Sequence, residues 1–276
     1  MVATFEIPPS PALAPYISRY VYREFETHGF PVIKPWFATH EASLHFFFKA
    51  LPVKLANPVT GEILKTGEPC DMVGMSSQYN GDMHFNGSYS FFQIIFKPDG
   101  FTRLFNIPSS HIINQIILGE DIFNADINLL HEQLYEAENS IEMAALADAF
   151  LLSHLKKQKL IHTESISSTI HLIVKKAGFI NIDELARNAN MSVRNFERAF
   201  QQATGMPPKL LCCISRFNHA LELKLQNLKM DWTTIAYQSG YFDQMHLIKE
   251  FKRFAGDTPK ALLKDTFLLE EDCTFA

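Results

Sequence analysis

Two short stretches near the C-terminus concentrate hydrogen-bond donors: Arg194, Asn195, Arg198 and Gln202 in one, and Gln244, His246, Lys249, Lys252 and Arg253 in the other. These residue types, held on one face of a helix, suit contacts to base edges and phosphates. Isolated charged helices ordinarily just face water, so the types alone decide little. The stronger observation is that the stretches repeat. At a fixed offset of 51 positions, Phe196 pairs with Leu247, Arg198 with Lys249, Phe200 with Phe251, Gly205 with Gly256 and Pro208 with Pro259. A unit built twice presents equivalent faces twice.

The elements that must position these side chains are legible locally. Upstream the offset falls to 50, pairing Leu185-Ala186 with Ile235-Ala236 and Asn190 with Gly240, so the second copy carries one extra residue before Asp243. A length change there marks a turn, and each copy reads as helix, turn, helix, the shape that offers its second helix to the major groove. Asn181, with Glu184 behind it, and Asp231 cap the first helices; Ser192 and Asp243 cap the second. Phe196, Ala199 and Phe200, and likewise Leu247, Phe251 and Phe254, recur at three- and four-residue spacing and form the buried stripes. Gly205 and Gly256 close these helices, and Pro208 and Pro259 open new segments. Between the copies, Leu210, Ile214, Phe217, Leu221 and Leu225 mark Lys209 to Gln226 as one long amphipathic helix. Such a joint fixes the separation of the two presented helices, and successive major-groove faces lie about 34 Å apart.

The ordered pattern Leu185-Ala186, Met191-Ser192, Phe196, Arg198, Phe200, Gly205-Met206-Pro207-Pro208, Arg216, Ala220, Ile235-Ala236, Ser239-Gly240-Tyr241, Asp243-Gln244, Phe251-Lys252, Gly256 and Thr258-Pro259 resembles the DNA-binding domain of AraC/XylS-type transcriptional regulators. The resemblance implies a helical domain that binds double-stranded promoter DNA, regulates transcription and works with RNA polymerase. By the family's pattern the base-reading positions are Arg194, Glu197 and Arg198, and Gln244, Met245, Ile248 and Lys249. Glu197 either meets a base or orients Arg198, and His246 either meets a phosphate or faces water. The chain departs from the pattern in two places. Tyr241-Phe242 stands where Phe and a polar residue are usual, and Met245 and Ile248 are apolar where hydrogen-bonding side chains are frequent, which leaves methyl contacts to thymine.

Charge is split along the chain. Residues 1–164 hold 11 Lys and Arg against 18 Asp and Glu, residues 165–265 hold 14 against 9, and residues 266–276 hold 0 against 3. A basic module on an acidic body binds polyanions through one part only. The length and the 47% apolar content suit two domains, with boundaries expected at 1–160 and 165–265 and an acidic tail at 266–276. Cys70, Cys212, Cys213 and Cys273 show no zinc-type spacing and read as reduced structural thiols. No segment reads as a signal peptide or a bilayer span, so a soluble, cytoplasmic protein is expected, with no membrane partner.

The proline-rich first 35 residues hold one short element at Tyr16 to Tyr22. Strands follow at Leu44 to Lys49, Val53 to Ala56, Cys70 to Met75, Met83 to Phe85 and Tyr89 to Phe96, separated by the turn signals Asn57-Pro58, Thr60-Gly61, Asn80-Gly81 and Asn86-Gly87. Helices are expected at Asp99 to Phe105, Asn124 to Ala137, Ile141 to Lys156, with Leu146 and Phe150 on its apolar face, and Ser165 to Ala177. The fold class is therefore α+β, a β-rich barrel or sandwich with helices followed by an all-helical domain. Phe96-Lys97-Pro98-Asp99-Gly100-Phe101 resembles the cupin-like sensor domains that precede AraC-type modules, which implies a small-molecule effector or a homodimer contact. Trp36, Phe37, Phe46, Phe47, Phe48, Phe85, Phe91, Phe92 and Phe96 read as core rather than as a pocket. His40, Glu41, His45 and His84 raise the alternative of a metal-dependent cupin enzyme fused to a DNA-binding module. Their spacing sets no ligand pair on one strand, so no metal, cofactor or catalytic residue is assigned and the chain reads as a non-enzyme.

Overall fold

The computed structural model describes residues 3–49, 53–155 and 164–266. Its first half carries strands β1 (Ala3–Ile7), β2 (Ile17–Glu26), β3 (Val32–Pro35), β4 (Ala42–Lys49), β5 (Lys54–Ala56), β6 (Ile63–Thr66), β7 (Cys70–Val73), β8 (Asp82–Phe85), β9 (Ser88–Phe96) and β10 (Ile116–Leu118). They pair antiparallel into two sheets, ordered β1-β2-β9-β4-β7-β10 and β3-β8-β5-β6. The central strands β4 and β9 read as nearly unbroken apolar runs because the larger sheet is covered on both faces. Side-chain alternation sorts their residues. Leu44, Phe46, Phe92, Ile94 and Phe96 enter the main core, whereas Tyr89 and Phe91 join Val32 and Phe85 in a second cluster shared with the smaller sheet. Trp36, Phe46, Phe85, Phe91, Phe92 and Phe96 are buried and Phe37, Phe47 and Phe48 partly so, which makes this aromatic set core.

Helices α1 (Gly100–Phe105), α2 (Gly119–Phe123), α3 (Asp126–Glu136) and α4 (Ser140–Leu155) cover the larger sheet. The inward face of α4 differs from the expected one. Met143, Ala144, Ala147 and Leu151 are its buried residues, and Leu146 and Phe150 lie half-buried at the margin. Asp148 on this helix accepts hydrogen bonds from the Tyr20 hydroxyl at 2.5 Å and the Ser10 amide at 3.1 Å, pinning α4 to β2. Strands β1, β3, β6 and β10 and helix α2 were not expected from sequence. Strand β6 is an edge with no buried residue in the pattern, so no alternation announces it.

The second half is helical: α5 (Glu164–Lys175), α6 (Ile182–Asn188), α7 (Val193–Thr204), α8 (Pro208–Gln226), α9 (Trp232–Gln238), α10 (Gln244–Ala255) and α11 (Pro259–Thr266). All four anticipated N-caps form. Asn181 Oδ1 accepts from the Asp183 amide at 2.7 Å, Ser192 Oγ from Asn195 at 3.4 Å, Asp231 Oδ1 from Thr234 at 2.9 Å and Asp243 Oδ1 from His246 at 2.7 Å. The repeat extends to the backbone. Asn190 and Gly240, equivalent positions in the two turns, both have positive φ, as do the closing glycines Gly205 and Gly256. Residues 156–163, where a domain boundary was expected, and nearly all of the acidic tail, including Cys273, lie outside the described residues.

Phe217, in the middle of α8, joins these parts. Its fully buried ring packs against Phe251 at 4.9 Å and Phe254 at 5.6 Å on α10 and meets Phe37 edge-on at 6.1 Å, following β3. Truncating it leaves a cavity at the meeting point of three segments. We expect Phe217→Ala to lower unfolding free energy in denaturant titration by about 3–5 kcal/mol. Ser192→Ala, which removes only an exposed cap, should cost about 1 kcal/mol in the same titration.

Candidate nucleic-acid interface

Helix α7 buries Phe196, Phe200 and Ala203 and leaves Arg194, Asn195, Glu197, Arg198 and Gln202 exposed. Helix α10 buries Leu247, Phe251 and Phe254 and leaves Gln244, Met245, Lys249, Lys252 and Arg253 exposed, with Ile248 half-buried. None of the arginines and lysines named for these two helices packs inward. His246 is drawn partly into the protein: its ring stands edge-on to Tyr241 at 5.2 Å and its Nε2 lies 3.7 Å from Glu250 Oε1. The aromatic pair before Asp243 divides in the same way. Tyr241 is buried and takes the core place, while Phe242 at 87% exposure points outward. Phe242 and Tyr237, 69% exposed on α9, extend the exposed surface of the second unit, and sequence reading did not count them among its contact residues.

The strand-rich half touches these helices at their far ends. The Ala38 amide donates to the Phe254 carbonyl at 2.8 Å and the Tyr79 amide to the Arg253 carbonyl at 3.2 Å. A Cβ built on Gly256 would lie 2.6 Å from the Tyr79 ring, and one on Gly205 would lie 2.9 Å from the Ser110 nitrogen, so both repeat-equivalent glycines admit the N-terminal half closely. Asn218 on α8 and His40 bond side chain to side chain at 3.0 Å. Twelve-residue helices are about 18 Å long, so the residues that begin α7 and α10 stand well away from these contacts. The docking leaves the donor-bearing ends open.

A further tie joins α1 to α5. Arg103 donates to Ser167 Oγ at 3.0 Å, and His171 Nε2 lies 3.4 Å from Asp99 Oδ1. Burial is the largest influence on Asp99 and opposes its charge, but His171, Ser167 and Arg103 together outweigh it and hold the carboxyl below its usual range.

The two helix-turn-helix units are braced against each other. Helix α8 spans them, and the Phe179 ring in the turn before α6 occupies the space beside Gly240, where a Cβ would lie 1.7 Å from it. At the end of α8, the buried Lys224 ammonium donates to the carbonyls of Leu228 and Met230, both at 2.6 Å, and lies over the Trp232 ring. This lysine breaks the apolar stripe of α8, and its bonds to the following turn together with the Trp232 ring explain its burial. Between the units, a cleft of about 670 Å³ is lined by Lys209, Cys213, Arg216, His246 and Glu250 among others. Burial pushes the Cys212 and Cys213 thiols up to about 11, so both stay protonated at neutral pH, consistent with structural rather than reactive cysteines.

The histidines considered for a metal are used separately. His40 bonds Asn218, and His45 bonds Ser43 Oγ at 2.6 Å and Gln93 Nε2 at 3.2 Å. Burial pushes His45 down to about 4, leaving it neutral. His84 pairs across β3 and β5 with Ile33 and Lys54. Among the described residues, no three His, Cys, Asp or Glu side chains gather as a metal site, and no helix is long and apolar enough to cross a membrane.

Comparison with known proteins agrees with this geometry. Residues 185–265 match the family described as "Helix-turn-helix domain", and residues 5–118 match a "Domain of unknown function (DUF6597)". The Msm operon regulatory protein of Streptococcus mutans is 23% identical over 158 residues, 57% of this chain and 56% of that protein, so the similarity spans about half of that relative's length. Among solved structures, ToxT from Vibrio cholerae superposes with a TM-score of 0.51 at 13% identity, covering 89% of this chain and 98% of that one, a likeness of fold. A β-rich N-terminal half followed by a duplicated, capped and braced pair of helix-turn-helix units is the α+β arrangement, and residues 185–265 of this chain are a helix-turn-helix domain.

Proposed function

We propose that this chain is a sequence-specific, DNA-binding transcription regulator of the AraC/XylS type, reading two adjacent major-groove segments with α7 and α10. The observation that carries this reading is the duplication itself. Two repeat-equivalent helices expose donors at their beginnings while the rest of the protein holds their ends. The contact residues are Arg194, Asn195, Glu197, Arg198 and Gln202 in the first unit, and Gln244, Met245, His246, Ile248, Lys249 and Lys252 in the second. Residues 1–160 form the sensing or pairing domain and 165–265 the DNA-binding domain. The role of the streptococcal relative, an operon regulatory protein, fits this assignment.

Promoter DNA is the main partner. RNA polymerase follows as the machinery acted upon, and a small-molecule effector or a second copy of the chain is the partner of the N-terminal domain. Leu129, Tyr135 and Ile141 on α3 and α4 are exposed large apolar side chains that fit the second of these. The cytoplasm is the compartment, and no catalytic step is assigned.

An anisotropy titration of the full chain against duplex DNA tests the reading. Affinity should fall steeply as salt rises, because phosphate neutralisation releases counterions; absence of binding to every duplex, or binding indifferent to salt, overturns it. Arg198→Ala should cost about 1–3 kcal/mol at a specific site and relax the preference there. An equal loss on all sequences would move Arg198 to a phosphate.

A further inference from the structure

The two units differ at the positions where the repeat makes them comparable. At the 51-residue offset, Arg194 corresponds to Met245 and Glu197 to Ile248, while Arg198 corresponds to Lys249; Met191 matches Tyr241, each amide bonding the alanine five before it, so Phe242 is the residue that the second turn adds. Charged groups in the first unit are thus replaced by apolar ones at the same two helical positions of the second. Met245 is 60% exposed, Ile248 half-buried, and Phe242, 87% exposed, precedes them in the turn before α10. Little of the described chain covers Met245 and Phe242, Ile248 is covered in part, and the N-terminal half docks at the opposite end of α10.

Two features say what does. The strip occupies the positions at which α7 carries its arginine and glutamate, so it lies on the surface that the duplication presents to DNA. It is also flanked along the same helix by Gln244, Lys249 and Lys252, all exposed, so an apolar centre is bordered by amide and ammonium donors. A major groove has the matching layout. Its phosphate edges are anionic, and its floor offers one apolar group, the C5 methyl of thymine. Methionine, with three rotatable bonds and a polarisable sulfur, adapts to such a group without exact placement.

Resting on the regulator reading above, we infer that the two units read by different chemistry: α7 by hydrogen bonds through Arg194 and Arg198, and α10 by apolar contact of Met245 and Ile248, with Phe242 at the margin, to thymine methyl groups. The partner of the second unit is therefore a thymine-rich half-site. Its recognition survives loss of hydrogen-bond complementarity better than loss of a methyl.

The test uses the full chain and duplexes selected by binding from a randomised pool. Arg198→Ala identifies the half-site read by α7, the one where its preference relaxes. Deoxyuridine, which pairs as thymidine does but lacks the methyl, is then placed at each thymine in turn. We expect about a fourfold loss of affinity per contacted thymine in the other half-site, and no loss in the α7 half-site. Met245→Ala, a change at an exposed side chain, should abolish that uracil sensitivity while leaving the α7 half-site preference in place. Uracil tolerated at every position, or a sensitivity that persists in both Met245→Ala and Ile248→Ala, overturns the inference and leaves the regulator reading standing. If the pool yields no bound duplex, the regulator reading itself fails.

Discussion

Phe217 is the point on which the arrangement turns. One buried ring on the connecting helix faces the second unit through Phe251 and Phe254 and faces the strand-rich half through Phe37. Packing at such a junction is unforgiving, because interiors are close-packed and a void costs the contacts of every wall around it. The connector, α10 and the N-terminal half consequently share one core. The placement of the second presented helix is inseparable from the placement of the domain behind it.

That shared core bears on how the N-terminal half relates to the exposed donor faces. It does not lie over them. It meets α7 and α10 beside Gly205 and Gly256, about a helix length from Arg194 and Gln244. In this geometry the N-terminal half leaves the exposed donor faces uncovered and bears instead on how the two helices sit relative to one another. Lys224, Phe179 and α8 hold the units together from within, and the two glycine contacts hold them from behind.

Much of the C-terminal half is written locally. Asn181, Ser192, Asp231 and Asp243 cap helices through bonds to residues two or three positions away, and Asn190, Gly205, Gly240 and Gly256 mark turns by their own backbone conformation. Such signals need no knowledge of tertiary contacts. The N-terminal half was legible where strands are central and apolar, as in β4 and β9. It was not legible where strands are edges or short, as in β1, β6 and β10, because their pairing is settled by partners distant in sequence. Of the candidate interface, the exposed positions were readable from the helical period, but Phe242 was not. Whether Tyr241 or Phe242 enters the core depends on the direction of the turn, which two adjacent aromatics do not reveal. The bonds from Ala38 and Tyr79 were beyond reach for another reason: they are made by backbone amides, which every residue but proline possesses.

Those two amides give α10 a particular mechanical character. The helix is held at both poles of its macrodipole, by the Asp243 carboxylate at the positive end and by the Ala38 and Tyr79 N–H groups at the negative end. A clamp at the end of a rod acts along the rod. Displacement of the strand-rich half must either leave the Arg253 and Phe254 carbonyls to be rehydrated or drag α10 lengthwise with it, so the pull that these two bonds exert on α10 is axial, a pushrod rather than a lid.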